Sequence, residues 1–364
     1  MGRFKPLMKL GEKTVVERVI SLYQAAGIKD ICVVVGYRGE EIRKALTSYG
    51  VRIVVNRDFE KGMYTSIIEG VRNLPASTQA FFINPVDIPL IRVPTIKTLI
   101  RAFQENSARI FYPRFNGRRG HPPLIDAELA QGIIAWKKEG GLRSFLEERN
   151  DLALDVPVAD ERVLSDLDTV EDFRLLQARL KEEGIPTPAE CRMLMKEIQH
   201  LPESVITHCR VVAAMAGFLT VAVSRTGVKL NERLVRAAAL VHDIARKEEP
   251  HALIGARLLD SWGFSKVAEI VAVHLDIQVQ EKGPINEAEM VYLADKLVAG
   301  DQPIDLDQRF QQKIKKYGQD PQMAKAIRVR WDNARRIKAK VEHITGIPLR
   351  SLLDQYNPFK ENVH

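Results

Sequence analysis

The feature that most constrains the fold is an abrupt change in sequence pattern near residue 184. Up to about residue 180, short β-branched runs alternate with amphipathic helical patterns, which is typical of a layered α/β domain with right-handed crossovers. After Gly184-Ile185-Pro186-Thr187-Pro188, only helical patterns follow. Glycine ends a helix and the two prolines keep it from resuming, so we predict a linker at 184–188. It separates a domain over 1–183 from an all-α domain over 189–364.

The apolar runs of the first domain are nearly continuous, as in strands that are buried on both faces of a mostly parallel sheet. The predicted strands are 31–36, 52–56, 80–84 and 109–112. The predicted helices of this domain are 14–26, 39–48, 64–73 and 95–105. In the second domain the predicted helices are 189–199, 203–222, 231–245, 251–262, 265–276, 286–299 and 320–344.

Composition excludes several classes of protein. With 45% hydrophobic and 28% charged residues, the chain is not expected to be disordered. We expect no membrane span, because no apolar run approaches the roughly 18 residues that one needs. The first residues show no signal peptide. Three widely spaced cysteines, Cys32, Cys191 and Cys209, exclude a disulfide framework and fit a reducing cytoplasm.

The net charge is +7, and much of the excess lies in two basic runs near the end of the chain, 313–316 and 335–338. We interpret these runs first as solvated helix faces, and second as a site for a polyanion or a phosphorylated ligand. No nucleic-acid-binding module accompanies the charge, so we do not expect DNA or RNA as a partner. A hydrolase that acts on nucleic-acid ends through residues 309–340 is the least favoured alternative.

The strongest functional signal is a set of histidines and aspartates on the predicted helices of the second domain. Ionisable groups on apolar faces are costly unless they are paired or bind a metal. Any one of these histidines alone is more often a core residue with its hydrogen bonds satisfied, but the ordered set predicts a metal site. Mixed nitrogen and oxygen ligands suit iron, manganese or zinc, which activate a bound water and hold phosphoryl oxygens. The set consists of His208, His242, Asp243, His251, His274 and Asp295.

This arrangement resembles the HD superfamily of metal-dependent phosphohydrolases over about residues 200–300, in particular the bacterial dinucleotide polyphosphate hydrolases. The segments that carry the resemblance are Leu240-Val241-His242-Asp243-Ile244-Ala245 and Pro250-His251-Ala252-Leu253-Ile254-Gly255-Ala256. The resemblance implies one metal on His208, His242, Asp243 and Asp295, with Asp243 catalytic, and a second metal completed by His251 and His274. Arg246 stands where the family often has lysine, and we expect it to keep phosphate binding because arginine retains the charge.

Three stretches of the first domain resemble MobA-like nucleotidyltransferases of the molybdenum cofactor cytidylyltransferase type. They are Met1-Gly2-Arg3-Phe4-Lys5-Pro6-Leu7, Asn84-Pro85-Val86-Asp87-Ile88-Pro89-Leu90 and Ser165-Asp166-Leu167-Asp168-Thr169-Val170-Glu171-Asp172. Weaker similarities are Asn56, Gly62-Met63-Tyr64-Thr65-Ser66 and Gly120-His121-Pro122-Pro123. The resemblance implies nucleotidyl transfer from a nucleoside triphosphate, CTP in that type, to a phosphorylated small molecule such as molybdopterin.

Displacement of pyrophosphate requires Mg²⁺ and a cation more than it requires a base. Asp87 follows a strand and would hold Mg²⁺ together with Asp168 or Asp166, while Lys5 would contact the triphosphate. Lys5 and Asp87 are therefore the predicted catalytic residues. The structural alternatives are that Asp87 only shapes a turn, and that Asp168-Thr169 only caps the helix 170–182. The predicted nucleotide-binding residues are Lys5, Asn56, Gly62, Ser66 and His121.

The sequence departs from this family at its start. In the family, a strand and a glycine-rich loop precede the lysine motif, whereas the present sequence begins within that motif at Met1-Gly2. Loss of the strand, which is central in the family's sheet, would leave two neighbouring strands with unpaired backbone groups. We expect a start codon that was assigned too late; the alternative is a truncated domain retained for binding or assembly.

Taken together, these patterns predict a bifunctional cytoplasmic enzyme that combines Mg²⁺-dependent nucleotidyl transfer with metal-dependent hydrolysis of a phosphate ester or anhydride. The alternative is a nucleotide-binding regulatory domain, without transfer activity, that controls an HD phosphohydrolase. The sequence indicates neither the nucleotide base nor the oligomeric state.

Overall fold

The computed structural model describes residues 4–356. Contacts divide the chain into two compact units, Met1–Glu183 and Gly184–His364. Residues 1–3, which open the first transferase-like stretch, lie outside the described part of the chain.

The first unit is an α/β domain. Its strands are β1 (Lys9–Leu10), β2 (Lys13–Thr14), β3 (Cys32–Val35), β4 (Arg52–Val55), β5 (Ala80–Phe82), β6 (Ile110–Phe115), β7 (Arg118–Arg119), β8 (Leu124–Asp126) and β9 (Ala153–Pro157). Its helices are α1 (Val15–Ala25), α2 (Gly39–Ala45), α3 (Met63–Arg72), α4 (Val93–Glu105), α5 (Ala130–Ala135), α6 (Gly141–Glu147) and α7 (Val170–Lys181). The four strands and four helices predicted from the sequence are all present, with slightly different ends.

The predicted α/β fold class is confirmed, but the strand pairing is mixed rather than mostly parallel. β3 pairs with β4 and β6 with β9 in parallel, whereas β8 is antiparallel to both β5 and β6, and β7 is antiparallel to β6. The β6–β7 hairpin turns at Asn116-Gly117, where both residues have positive φ. Such a pair matches the right-handed twist of the flanking strands, so Asn-Gly is a sequence signal for a two-residue hairpin.

The described strands of this domain do not form one continuous sheet. β3 and β4 form a two-stranded sheet, and β5 begins a separate five-stranded sheet. A cavity of about 1620 Å³ is lined by residues of β3 and β5 and by α1, α3 and α4. The lining of this cavity is mainly apolar.

The second unit is helical. Its helices are α8 (Pro188–Met193), α9 (Glu203–Ser224), α10 (Glu232–Val241), α11 (His251–Ser261), α12 (Ser265–Val273), α13 (Glu287–Lys296), α14 (Leu306–Tyr317), α15 (Pro321–Thr345) and α16 (Leu349–Leu353). A short hairpin, β10 (Val298–Ala299) and β11 (Gln302–Pro303), follows α13. The seven helical segments predicted here are present, although three predicted ends, at residues 242–245, 274–276 and 297–299, are non-helical.

Helix α9 is the centre of this unit and packs against α10 and α13. Buried residues such as Val212, Ala213 and Ala214 lie on several of its faces, as expected for a helix inside a core. Contrary to the sequence prediction, α9 is long and apolar enough to qualify as a membrane span by length and composition. More than half of its most apolar window is buried within the domain, which is the usual state of a core helix.

Candidate functional sites

The first candidate site lies where the Asp87 and Asp168 stretches meet in the α/β unit. The backbone N–H of Leu167 donates to the carbonyl of Asp87 over 2.9 Å, which ties the two stretches together. The Lys5 ammonium donates to the Asp168 carboxylate over 2.9 Å. The structure therefore brings the predicted lysine and the predicted carboxylates to one place, although they are far apart in sequence.

The charges of these groups act on one another. Burial raises the pKa of Asp87, the carboxylates of Asp168 and Asp166 raise it further, and Lys5 opposes them. Burial lowers the pKa of His121, and Asp87 and Asp166 act against that shift. His121 therefore lies beside the same acidic cluster. A cation bound between these carboxylates would relieve their mutual repulsion.

Both structural alternatives for these aspartates are partly realised. Thr169, not Asp168, is the N-cap of α7, and it forms a capping box with Asp172. The side chain of Asp168 is left to pair with Lys5. Asp87 is the third residue of a turn in which the N–H of Ile88 donates to the carbonyl of Pro85. The turn is formed by the backbone, so the carboxylate of Asp87 is available for other chemistry.

The predicted nucleotide-binding residues fall into two groups. Gly62, Ser66 and His121 line the large cavity together with Asp87. Gly62 precedes α3 with a φ of 105°, a conformation that favours glycine. Asn56, in contrast, is buried, and its amide donates to Thr65 Oγ1 over 2.8 Å and to Ser66 Oγ over 2.9 Å. We assign Asn56 to fixing the start of α3 rather than to direct ligand contact.

The second candidate site is built from the ends of five helices in the helical unit. His208 lies on α9, His242 and Asp243 follow α10, and Asp295 lies near the end of α13. His251 begins α11, and His274 follows α12. Neighbouring imidazole rings lie 5.2 to 5.4 Å apart between centroids. All six predicted residues therefore converge on one cluster.

Asp243 stands at the centre of the cluster. Its Oδ1 lies 3.4 Å from His251 Nε2 and 3.7 Å from His274 Nε2, and its Oδ2 lies 3.5 Å from His242 Nε2. Two groups of three side chains can each surround one ion, and both of them contain Asp243. They are His208, His242 and Asp243, and Asp243, His251 and His274.

Asp295 completes the first of these groups from the other side. Its Oδ1 lies 3.2 Å from His208 Nε2 and 3.7 Å from His242 Nε2. The other oxygen, Oδ2, accepts a hydrogen bond of 2.5 Å from Lys296. Burial acts to raise the pKa of Asp295, but Lys296, His208 and His242 hold it well below its usual range. Asp295 is therefore ionised, as a metal ligand must be.

The histidine rings are oriented as they are in metal sites. The Nδ1 atoms of His208, His242 and His274 lie 2.7 to 2.8 Å from the backbone carbonyls of Gly300, Ala239 and Val271. Bonds of this kind fix the tautomer in which Nδ1 carries the proton and Nε2 carries the lone pair.

Several of the histidine nitrogens that face into the cluster have no hydrogen-bond partner among the described residues. Within residues 4–356, Nε2 of His242, His251 and His274 are buried without a hydrogen bond. Buried polar atoms normally find partners, so these orphaned lone pairs fit metal ligation. Burial also lowers the pKa of His242 to about 4, which keeps the ring neutral and able to ligate. The donor set therefore fits one or two transition-metal ions.

Three basic residues lie around this cluster, and of these only Arg246 was assigned a role from the sequence. Arg246 donates to Oδ2 of Asp243, so the guanidinium faces the metal ligands instead of extending freely into solvent. Lys296 is buried and also donates to the carbonyl of His274 over 3.2 Å. The sequence feature that could have identified Lys296 as a site residue is its position within the buried helix α13. Arg309 lies 3.7 Å from Asp295 Oδ1, and nothing in its local sequence distinguished it from surface residues.

Comparison with known families agrees with this division. Residues 1–153 match the MobA-like NTP transferase domain, and residues 205–300 match the HD domain. The first match contains Lys5, Asp87 and His121 but ends before Asp166. The second contains all six residues of the His/Asp cluster but ends before Arg309.

Two characterised proteins are similar to parts of the chain. Nicotine blue oxidoreductase of Paenarthrobacter nicotinovorans is 29% identical over 182 residues, which are 47% of this chain and 87% of that protein. The bifunctional IPC transferase and DIPP synthase of Rubrobacter xylanophilus is 35% identical over 91 residues, 24% of this chain and 21% of that protein. Among solved structures, a nucleotidyl transferase from Methanothermobacter thermautotroptrophicus is 20% identical, with a TM-score of 0.43, covering 49% of this chain and 85% of that one.

Proposed function

Because the chain joins a MobA-like NTP transferase domain to an HD domain, we propose that it is a bifunctional enzyme with a metal-dependent phosphohydrolase in its second unit. The observation that carries this proposal is the convergence of orphaned histidine Nε2 atoms on the buried carboxylate of Asp243. We propose hydrolysis of a nucleotide or of another phosphate ester or anhydride.

In this proposal, His208, His242, Asp243 and Asp295 hold one metal ion, and Asp243, His251 and His274 hold a second. Bound iron, manganese or zinc lowers the pKa of a coordinated water and withdraws charge from phosphoryl oxygens. The protein contributes a preorganised ligand set, since the backbone carbonyls behind the histidines fix their ring orientation. Arg246 donates to Asp243, and we propose that its half-exposed guanidinium also binds a phosphate oxygen of the substrate.

The test for the hydrolase is metal-dependent turnover by the full chain. Protein stripped with a chelator is reloaded with Fe²⁺, Mn²⁺ or Zn²⁺, and hydrolysis of p-nitrophenyl phosphate and of nucleoside polyphosphates is measured. We expect one or two metal ions per chain by elemental analysis, and activity only after reloading. A stripped protein that binds none of these ions would refute the proposed site.

For the first unit, we propose Mg²⁺-dependent nucleotidyl transfer to a phosphorylated acceptor, with CTP as donor and molybdopterin as the first acceptor to test. Asp87, with Asp168 or Asp166, would hold Mg²⁺, while Lys5 would contact the triphosphate. The chemistry supplied by bound Mg²⁺ is neutralisation of the charge that spreads over the phosphoryl oxygens and pyrophosphate. Two observations support these roles. A hydrogen bond from the N–H of Leu167 to the carbonyl of Asp87 holds the two stretches together, and the charges of Asp168, Asp166 and Lys5 act on the pKa of Asp87.

The competing proposal is a regulatory domain that binds a nucleotide without turning it over. It is kept because one relative of this region is named as an oxidoreductase, so similarity alone does not select transfer chemistry. Pyrophosphate release is measured with each nucleoside triphosphate, Mg²⁺ and molybdopterin, and nucleotide binding is measured in parallel. Release of pyrophosphate supports transfer, whereas saturable binding without release supports the regulatory proposal.

A further inference from the structure

We propose that Arg309 and Lys313 of α14, together with Lys296, form an oxyanion subsite that binds a phosphate group of the hydrolase substrate beside the metal cluster. The inference rests on the proposed phosphohydrolase function and adds a set of residues to it. Arg309 and Lys313 both lie beyond the segment that matches the HD domain.

Arg309 is held against the cluster with most of its hydrogen-bonding capacity unused. Only 13% of its side chain is exposed, and Nη2 lies 3.7 Å from Oδ1 of Asp295. Its Nε and Nη1 atoms are buried and have no hydrogen-bond partner among the described residues. A guanidinium presents these donors in a fixed fork that fits two oxygens of a phosphate.

Lys313 reinforces this charge from the same face of the helix. Residues i and i+4 of a helix are neighbours, so Lys313 lies one turn after Arg309. Burial lowers the pKa of Lys313 to about 8, and the charges of Arg309 and Lys296 contribute to that shift. The ammonium also lies 6.0 Å from the centre of the Phe310 ring. Like charges at this spacing are unfavourable unless an anion lies between them.

The acidic side chains around this group do not neutralise it. Asp276 accepts hydrogen bonds from Nε and Nη2 of Arg330, at 2.7 and 2.9 Å, and Asp307 accepts from Trp331 and Arg335. Among the described residues, Asp295 pairs with Lys296 and Arg309, and its charge also acts on Lys313. Since Asp295 also belongs to the proposed metal site, bound metal would add further positive charge. Buried charge of one sign requires a counter-charge, and an oxyanion supplies it.

The other basic residues of this region behave differently. In the run 335–338, Arg335 pairs with Asp307, and Arg336 pairs with Asp332 and Glu281. Lys315 and Lys316 are exposed on α14. The interpretation as a solvated helix face therefore fits these residues, whereas Arg309 lies against Asp295 and Lys313 is partly buried one turn away.

The experiment measures binding of inorganic tripolyphosphate to the metal-free full chain by calorimetry. Without metal, the affinity reports the protein cations alone. We expect Arg309→Gln and Lys313→Gln each to weaken binding about tenfold, the effect of losing one charge-assisted hydrogen bond. Lys315→Gln removes the same charge from the exposed face of α14 and is expected to bind like the wild type. Absence of binding by the wild type, or equal losses in all three variants, would overturn the subsite.

A second measurement separates anion binding from a merely structural role of Arg309. Each variant is reloaded with Mn²⁺ and its metal content is determined. We expect Lys313→Gln to retain its metal, and Arg309→Lys to recover part of the lost affinity. Loss of metal in Arg309→Gln, with unchanged anion affinity in Lys313→Gln, would mean that Arg309 only positions Asp295. If the wild type binds tripolyphosphate but hydrolyses no phosphate compound, the proposed function fails and the subsite stands.

Discussion

Asp243→Asn tests the centre of the metal cluster with a nearly isosteric change. The substitution removes the charge of the one carboxylate that belongs to both groups of potential ligands. Burial tends to raise the pKa of Asp243, but His242, His251, His274 and Arg246 hold it below its usual range, so the native side chain is ionised. An amide in its place is neutral and is a poor ligand for both ions.

The magnitude follows from linkage between metal binding and folding. Substituting a residue that merely orients a metal ligand costs about 10- to 100-fold in affinity, so loss of a shared ligand should cost at least about 100-fold. At a metal concentration of about 100 times the dissociation constant, binding stabilises the wild type by about 2.7 kcal/mol. After a 100-fold loss, the same concentration stabilises the variant by only about 0.4 kcal/mol. In a domain of this size, the metal-induced rise in Tm should fall from about 5–10 °C to about 1 °C.

The assay is thermal unfolding of stripped protein with and without Mn²⁺, followed by elemental analysis. Asp260→Asn is the matched control, because Asp260 is exposed on α11. We expect the control to keep the full metal-induced shift and the metal-free variant to fold normally. An Asp243→Asn protein that binds metal and is stabilised like the wild type would show that the ligand assignment is wrong.

Three further predictions concern other groups. In the transferase unit, Asp87→Asn should preserve Tm and abolish Mg²⁺-dependent pyrophosphate release, whereas the control Asp151→Asn should preserve both; a fully active Asp87→Asn enzyme would remove Asp87 from the site. In metal-free protein, burial lowers the pKa of His242 to about 4, so the unfolded chain takes up a proton below about pH 6.5 that the folded chain does not. The free energy of unfolding should therefore fall by about 2 kcal/mol more in the wild type than in His242→Gln between pH 6.5 and 4.5, measured by urea titration; equal losses would contradict a neutral His242. Because the pKa of Lys313 lies at about 8, tripolyphosphate affinity should decrease as the pH rises from 7 to 9, and Lys313→Arg should reduce this decrease; an unchanged pH profile in Lys313→Arg would count against its part in the subsite.

The strands of the first unit illustrate what a sequence pattern can and cannot predict. Apolar β-branched runs identified β3, β4, β5 and β6, because a strand that is buried on both faces requires such residues. Pairing direction was predicted less well, since it depends on short strands such as β7 and β8 and on the Asn116-Gly117 turn between β6 and β7. Separation of the described strands into three sheets is visible only once the backbone partners are known.

The sequence by itself determined the division into an α/β unit and a helical unit, and it identified all six members of the His/Asp cluster. It could do so because glycine and proline end helices locally, and because ionisable residues on apolar helix faces are costly and therefore conspicuous. Tertiary structure alone decided that Asp243 is shared between two groups of ligands, that Asn56 is used within the fold, and that Arg309 lies against Asp295. Those properties depend on which helix ends meet in space, and no local pattern of residues encodes distances between segments far apart in the chain.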